Sequence, residues 1–339
     1  MDPDALAAAG RVPHGSSDDP DLLDFSANTN PLVPDGTERV YREAFDTART
    51  YPPDDYPDYR KAAAAYVGCA PEDVVATPGG LAAIRLAVET TVDRGESVLV
   101  PYPSFGEYAH EVRLQGAYVS FVPHDELLDG GPADLADHAL AVVCNPNNPT
   151  GDAYDPDELV AFADRCREAG TPLLADEAFL GFTDQPSLAG REGVVVARSL
   201  TKLFGLPGIR AGFAVATGDL AERLDVARRA WALGTPAAAV GAHCMGCDAF
   251  VAETRERVRA ERGRMREALS PRFDLRPSDS PFLLLDVGER DPAALVEAAR
   301  ERGVALRDAT TFRGLDAHVR VAVRLPGEND RLLEVLADV

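Results

Sequence analysis

Ser199-Leu200-Thr201-Lys202-Leu203-Phe204-Gly205-Leu206-Pro207-Gly208-Ile209-Arg210-Ala211-Gly212 leads from one short apolar run, 194–197, into another, 211–215. Both runs have strand length, and the glycines and proline between them read as a loop. Inside that loop, among Leu200, Leu203 and Phe204, sits a lysine. The chain has 34 basic side chains in 339 residues, yet only Lys61 and Lys202 are lysines and the other 32 are arginines. A composition that accepts guanidinium almost everywhere keeps an amine here. Arginine cannot release its proton, whereas burial readily lowers a lysine pKa. The chemistry that needs such an amine is imine formation with a carbonyl. Lys61 lies in a polar, helix-like stretch and reads as a solvated side chain.

Outward from this loop, short apolar runs alternate with amphipathic stretches from residue 76 onward. Strands are expected at 97–100, 117–122, 140–144, 172–175, 194–197 and 211–215, with helices at 81–92, 104–114, 157–169 and 220–232. Such alternation predicts an α/β fold with a mostly parallel sheet covered on both faces, and ligands at the carboxyl ends of its strands. After a long helical stretch at 237–269 the pattern changes. Strands at 282–286, 304–306 and 319–323 with helices at 292–302 and 328–337 have the size of a smaller α+β unit. The expected division is a large domain over 36–230 and a small one made of 1–35 together with 231–339.

Three further loops follow apolar runs or open helices. Thr77-Pro78-Gly79-Gly80-Leu81 opens a helix, where backbone N–H groups and the positive dipole end suit a phosphate. A tight strand–helix turn explains the same glycines equally well. Asn145-Pro146-Asn147-Asn148-Pro149-Thr150-Gly151 places two amide side chains after a strand. Leu174-Ala175-Asp176-Glu177-Ala178-Phe179 puts a carboxylate at the end of a continuous apolar run, where it needs a cation or strong donors.

The 34 Asp and 22 Glu leave a formal net charge of −22, which argues against nucleic acid or an anionic membrane as partner. An excess of acids is a solvation device suited to a very salty medium, where screening over ~3 Å near 1 M salt suppresses the repulsion. The rival is an acidic patch that binds cations or a basic partner. Five cysteines fit reduced thiols, and Cys244 and Cys247 read as two small residues on one helical turn, with no second pair to make a metal site. MDPDALAAAG has neither the basic nor the apolar region of a signal peptide, and no apolar run nears the roughly 20 residues of a membrane span. A cytoplasmic protein is expected.

From about residue 14 to the end, the order and spacing of N-P-N-N-P-T-G, D-E-A and S-x-T-K-x-x-G-x-x-G-x-R-x-G resemble the fold-type I pyridoxal-phosphate (PLP) enzymes, the aminotransferase-like group. The resemblance implies the three-layer PLP-transferase fold. It implies that Lys202 carries the cofactor and shuttles protons, and that Asp176 pairs with the pyridinium nitrogen. Asn148 then reaches the ring hydroxyl, and Phe105 stacks on the ring. Gly80 and Leu81 amides with Ser199, Thr201 and Arg210 hold the cofactor phosphate. Tyr51-Pro52-Pro53-Asp54-Asp55-Tyr56 is similar to the family's Y-P-D-x-D-Y, in which the first tyrosine reaches the neighbouring subunit's cofactor, so a homodimer is implied. Pro53 replaces the family's Asp, and Phe179 stands where many members carry Tyr.

Two branches with phosphorylated substrates compete: histidinol-phosphate aminotransferases and the L-threonine-O-3-phosphate decarboxylases of cobalamin synthesis. His14-Gly15, Asp24-Phe25-Ser26-Ala27-Asn28-Thr29-Asn30-Pro31-Leu32, Phe179 and the stretch Leu306-Arg307-Asp308 through Arg324 resemble the decarboxylases more, although the segment between His14 and Asp24 is shorter. On that mapping Arg320 and Arg307 bind the substrate's carboxylate and phosphate, assisted by His14, Asn28 and Asn148. For Arg307 a surface ion pair with Asp308 or Glu301 is the plain alternative. The branches differ in substrate pose, because the bond held perpendicular to the ring breaks, a positioning effect of several kcal/mol. The lyase is the favoured expectation. PLP-fold sensors in transcription regulators carry an added DNA-binding helical domain; no basic N-terminal module is read in this sequence and the charge of −22 argues against DNA, so an enzyme is expected.

Overall fold

The computed structural model describes residues 1–338. Strands β1 (Leu23–Asp24), β2 (Val74–Thr77), β3 (Ser97–Tyr102), β4 (Tyr118–Pro123), β5 (Leu140–Cys144), β6 (Leu173–Asp176), β7 (Val194–Ser199) and β8 (Gly212–Val215) come first along the chain. The last seven form one sheet in the order β2-β8-β7-β6-β5-β3-β4. β3, β4, β5, β6 and β7 pair in parallel, while β8 runs antiparallel to both of its neighbours. Along β5, Ala141 and Val143 join one apolar cluster, while Leu140, Val142 and Cys144 join another. Successive side chains of a strand point to opposite faces, so both faces are buried and the strand reads as a continuous apolar run. The helices Gly80–Thr91, Glu107–Leu114 and Pro156–Ala169 are the crossovers. The expected α/β class is observed.

Beyond residue 270, β9 (Asp274–Leu275), β10 (Phe282–Asp286), β11 (Val304–Ala305), β12 (Arg307–Asp308) and β13 (His318–Ala322) follow, with helices Pro292–Arg300 and Pro326–Asp338. Four of these strands make an antiparallel sheet, β12-β13-β10-β9. β11 instead pairs in parallel with β1. The Ala322 N–H also donates to the Phe25 carbonyl at 2.9 Å, so the first and last parts of the chain are sewn together.

Five expectations are corrected. The stretch at 237–269 is two helices, Thr235–Met245 and Asp248–Leu269, broken at Gly246. Cys244 and Cys247 therefore straddle a corner and do not share one helical turn. The helix expected to reach 232 ends at Ala227, because Arg228 turns to pair with Asp54 and Trp231, at φ +51°, donates its N–H to the same carboxylate. The strand expected at 304–306 ends at Ala305, while Arg307–Asp308 just beyond it join a different sheet, and β2 lies ahead of the first strand expected. Among the described residues no helix is long and apolar enough to cross a membrane.

Candidate active site

Two strand ends of the large sheet and one helix start open on a cavity of about 370 Å³. Asp176 closes β6 and Ser199 closes β7; Lys202 follows one turn later and is partly exposed to the cavity. Burial pushes the Lys202 amine down to about 8, the charges of Arg320 and Arg210 add to the shift, and Asp176 and Asp24 oppose it. An amine so placed is partly neutral near pH 8 and available as a nucleophile. Burial raises the Asp176 carboxyl, against the hydrogen bond from Tyr108, the backbone bond from Ala178, and the charges of Arg198 and Lys202.

The phosphate-type cradle is closely fitted. Gly79 has φ +92°, and a Cβ there would stand 2.5 Å from Arg210 Nη2; at Gly80 it would stand 3.0 Å from Ser199 Cβ. Only glycine lets the start of the helix Gly80–Thr91 approach the Arg210 and Ser199 side chains so nearly. Ser199 and Thr201 hydroxyls are 2.8 Å apart and face the same cavity, with Gly80, Leu81 and Arg210. Phe105 and Phe179 also line it.

The opposite wall comes from the two ends of the chain. Arg320, on β13, is 5% exposed; its Nη1 donates to Asn148 Oδ1 and its Nη2 to the Ser26 carbonyl at 3.1 Å. Arg307, on β12, donates to the Pro13 carbonyl at 2.9 Å and to Thr311 Oγ1 at 2.8 Å. Its expected alternative, an ion pair with Asp308 or Glu301, does not form. Both arginines lie over the Phe312 ring, and Arg320 also over Phe282. Burial and the charge of Arg307 push the Arg320 guanidinium down from its ordinary value. Arg307 Nε, Arg320 Nε and the buried Asn28 Oδ1 have no hydrogen-bond partner among the described residues. His14 lines the cavity with its Nε2 2.8 Å from Glu107 Oε1 and its side chain half exposed.

One expected residue lies apart. Tyr51 is 77% exposed and lies against Trp231, with ring centroids 4.5 Å apart and planes tilted by 31°, outside this cavity. Several cavity residues escaped the sequence reading: the Ser26 carbonyl, Thr311 and Phe312, and, one step behind them, Tyr108 and Glu107. Thr311 and Phe312 belong to a stretch already singled out for its arginines, but nothing in their type marks them. Tyr108 follows Phe105 by three residues, a spacing that places both on one side of a helical turn.

A lysine of lowered basicity beside a buried carboxylate, at the strand ends of a doubly covered sheet, marks a pyridoxal 5′-phosphate enzyme of fold type I. The chain belongs to the class I and II aminotransferase family, whose model, "Aminotransferase class I and II", matches residues 20–337. It is 32% identical over 342 residues to a histidinol-phosphate aminotransferase of Halobacterium salinarum, covering 95% of this chain and 92% of that one. It is 30% identical over 337 residues to a threonine-phosphate decarboxylase of Salmonella typhimurium, covering 94% and 91%. Its fold matches a histidinol-phosphate aminotransferase of Sinorhizobium meliloti solved with pyridoxal 5′-phosphate, at TM-score 0.84 and 22% identity over 92% of this chain and 90% of that one. The residues present fit that cofactor. The glycine-lined helix start, two hydroxyls and Arg210 suit a phosphate, Asp176 suits a ring nitrogen that carries a proton, and Lys202 suits the carbonyl.

Proposed function

We propose that this chain is a carboxy-lyase that converts L-threonine O-3-phosphate to (R)-1-amino-2-propanol phosphate, a step of cobalamin biosynthesis. The observation that carries this reading is the arginine wall. Arg307 and Arg320 are buried side by side and hydrogen-bond no carboxylate among the described residues, and two guanidiniums lining one cavity suit a ligand with two anionic groups. A compact substrate suits a cavity of about 370 Å³ that must also hold the cofactor.

When bound, pyridoxal 5′-phosphate supplies a carbonyl that captures the substrate amine and a ring that withdraws electrons. The Gly80 and Leu81 amides with Ser199, Thr201 and Arg210 hold its phosphate. Asp176 keeps its ring nitrogen protonated, Asn148 meets its ring hydroxyl, and Phe105 covers one face. Arg320 grips the substrate carboxylate, while Arg307, His14 and Asn28 take the phosphate. Lys202 Nζ returns a proton to the α-carbon after CO₂ has left.

The working unit is a homodimer in which Tyr51 of each copy reaches the other's cofactor phosphate; the exposed Tyr51–Trp231 pair supports this. Each copy divides into a large domain, 36–230, and a small one, 1–35 with 231–339, a division supported by the β1–β11 pairing. The charge of −22 suits a salty cytoplasm.

A histidinol-phosphate aminotransferase is the second reading, supported by the relative at 32% identity. The deciding experiment offers purified holoenzyme L-threonine O-3-phosphate and, separately, histidinol phosphate with 2-oxoglutarate. CO₂ from the first and no glutamate from the second is the expected result; the reverse overturns the lyase.

A further inference from the structure

Tyr108 lies in the first turn of the helix Glu107–Leu114 and is fully buried. Its hydroxyl donates to Asp176 Oδ2 at 2.6 Å, while the Ala178 N–H donates to Asp176 Oδ1 at 3.0 Å. Its ring meets Phe105 edge-on, with centroids 5.6 Å apart and planes at 85°. One side chain thus touches two groups that line the cavity from different sides. We infer that Tyr108 is the positioning residue that aims the Asp176 carboxylate at the cofactor's ring nitrogen and keeps the proton they share on that nitrogen. The inference rests on the pyridoxal 5′-phosphate reading of the cavity.

The physical reason is a competition for one proton. A carboxylate 5% exposed is poorly solvated, so its own proton affinity is high. If it rises to that of a pyridine nitrogen, the proton moves to the carboxylate and the ring loses its charge. A donor on one carboxylate oxygen stabilises the ionised form and lowers that affinity. Tyr108 supplies this donor from a desolvated position, where charge-assisted hydrogen bonds are strong. A tyrosine that merely filled space would tolerate phenylalanine with no change in where the proton sits.

The test uses holoenzyme reconstituted with cofactor labelled with nitrogen-15 in the ring, and reads the ring-nitrogen chemical shift. A second readout is the dissociation constant of the cofactor from apoprotein. Tyr108→Phe is expected to move the shift toward neutral pyridine and to weaken cofactor binding about tenfold. In an Asp176→Asn background the same substitution should change neither, because the group it acts through is gone. Incorporation of 3-fluorotyrosine at 108, a more acidic phenol of nearly the same size, should move the shift the opposite way. A wild-type shift and wild-type affinity in Tyr108→Phe overturns the inference, as does an equal change in the Asp176→Asn background. Should Tyr108→Phe not fold, the fluorotyrosine protein decides, and an unmoved shift there overturns it. Failure of the wild-type protein to take up the cofactor removes the cofactor reading itself, and this inference with it.

Discussion

The two walls of the cavity handle charge in opposite ways. On the sheet side, Asp176 has two donors and lies near two cations, and Ser199 and Thr201 hydroxyls bond each other. On the other side two arginines share a buried space with one another, aromatic rings and carbonyls, and three polar atoms have no partner among the described residues. A wall paired within itself is preorganised, and geometry alone prepares it for its ligand. A wall of two guanidiniums that hydrogen-bond no carboxylate among the described residues carries charge that a bound anion would offset.

The largest expected effect breaks the first wall. Lys202→Ala should remove the visible absorbance of bound cofactor and lower turnover by roughly 10³-fold or more. A variant that keeps both would end the reading of Lys202.

The next effect exposes what that wall costs the apoprotein. The Lys202 amine binds its proton up to about 8 when folded but up to 10.5 when unfolded. Between these values the unfolded chain holds more protons, so stability rises with pH through the window; below it, the cost is fully present. The rise should be about 3 kcal/mol from this group. Denaturant unfolding of apoprotein at pH 7.5 and 10.5 checks it: Lys202→Met should lack the rise and be the more stable protein at the lower pH.

A smaller effect probes the second wall. Arg320→Met should raise KM for the phosphorylated substrate at least tenfold, about 2 kcal/mol, because a charge-assisted fork is lost. The melting temperature should fall only modestly, because Asn148 Oδ1 and the Ser26 carbonyl lose a donor while a buried charge without a bonded carboxylate is removed. A large loss of stability with unchanged KM would instead make Arg320 a structural residue. The smallest effect belongs to His14, half exposed and already paired with Glu107. His14→Gln should cost less than about fivefold in kcat/KM, about 1 kcal/mol, because only one half-exposed side chain and its contact to Glu107 are altered.

Much of the first wall was legible along the chain because each of its groups sits in a short segment after an apolar strand. Residues 199–212 carry a hydroxyl pair, the lysine and the arginine within fourteen positions, so local spacing sets their relation. The parallel core was legible for the same reason: residues alternate between two buried faces, and the run is apolar throughout. Helix ends were less so. Ala227 ends its helix because Asp54, far away in sequence, captures Arg228 and the Trp231 N–H. Tyr108 was missed since a buried tyrosine looks like any core aromatic until its hydroxyl is seen to reach Asp176.

What the sequence by itself determined is the class of chemistry: a lysine retained where arginine serves elsewhere, in a loop with hydroxyls and glycines, after strands that must be buried. What only the tertiary structure decided is the company kept by Arg307 and Arg320. His14 and Asn28 lie near the start of the chain, Arg307 and Arg320 near its end, and no local rule relates them. The β1–β11 pairing and the bond from the Ala322 N–H to the Phe25 carbonyl bring them together. Burial without a hydrogen-bonded carboxylate among the described residues, a property of the fold and not of any segment, is what distinguishes these two arginines from ones paired at the surface.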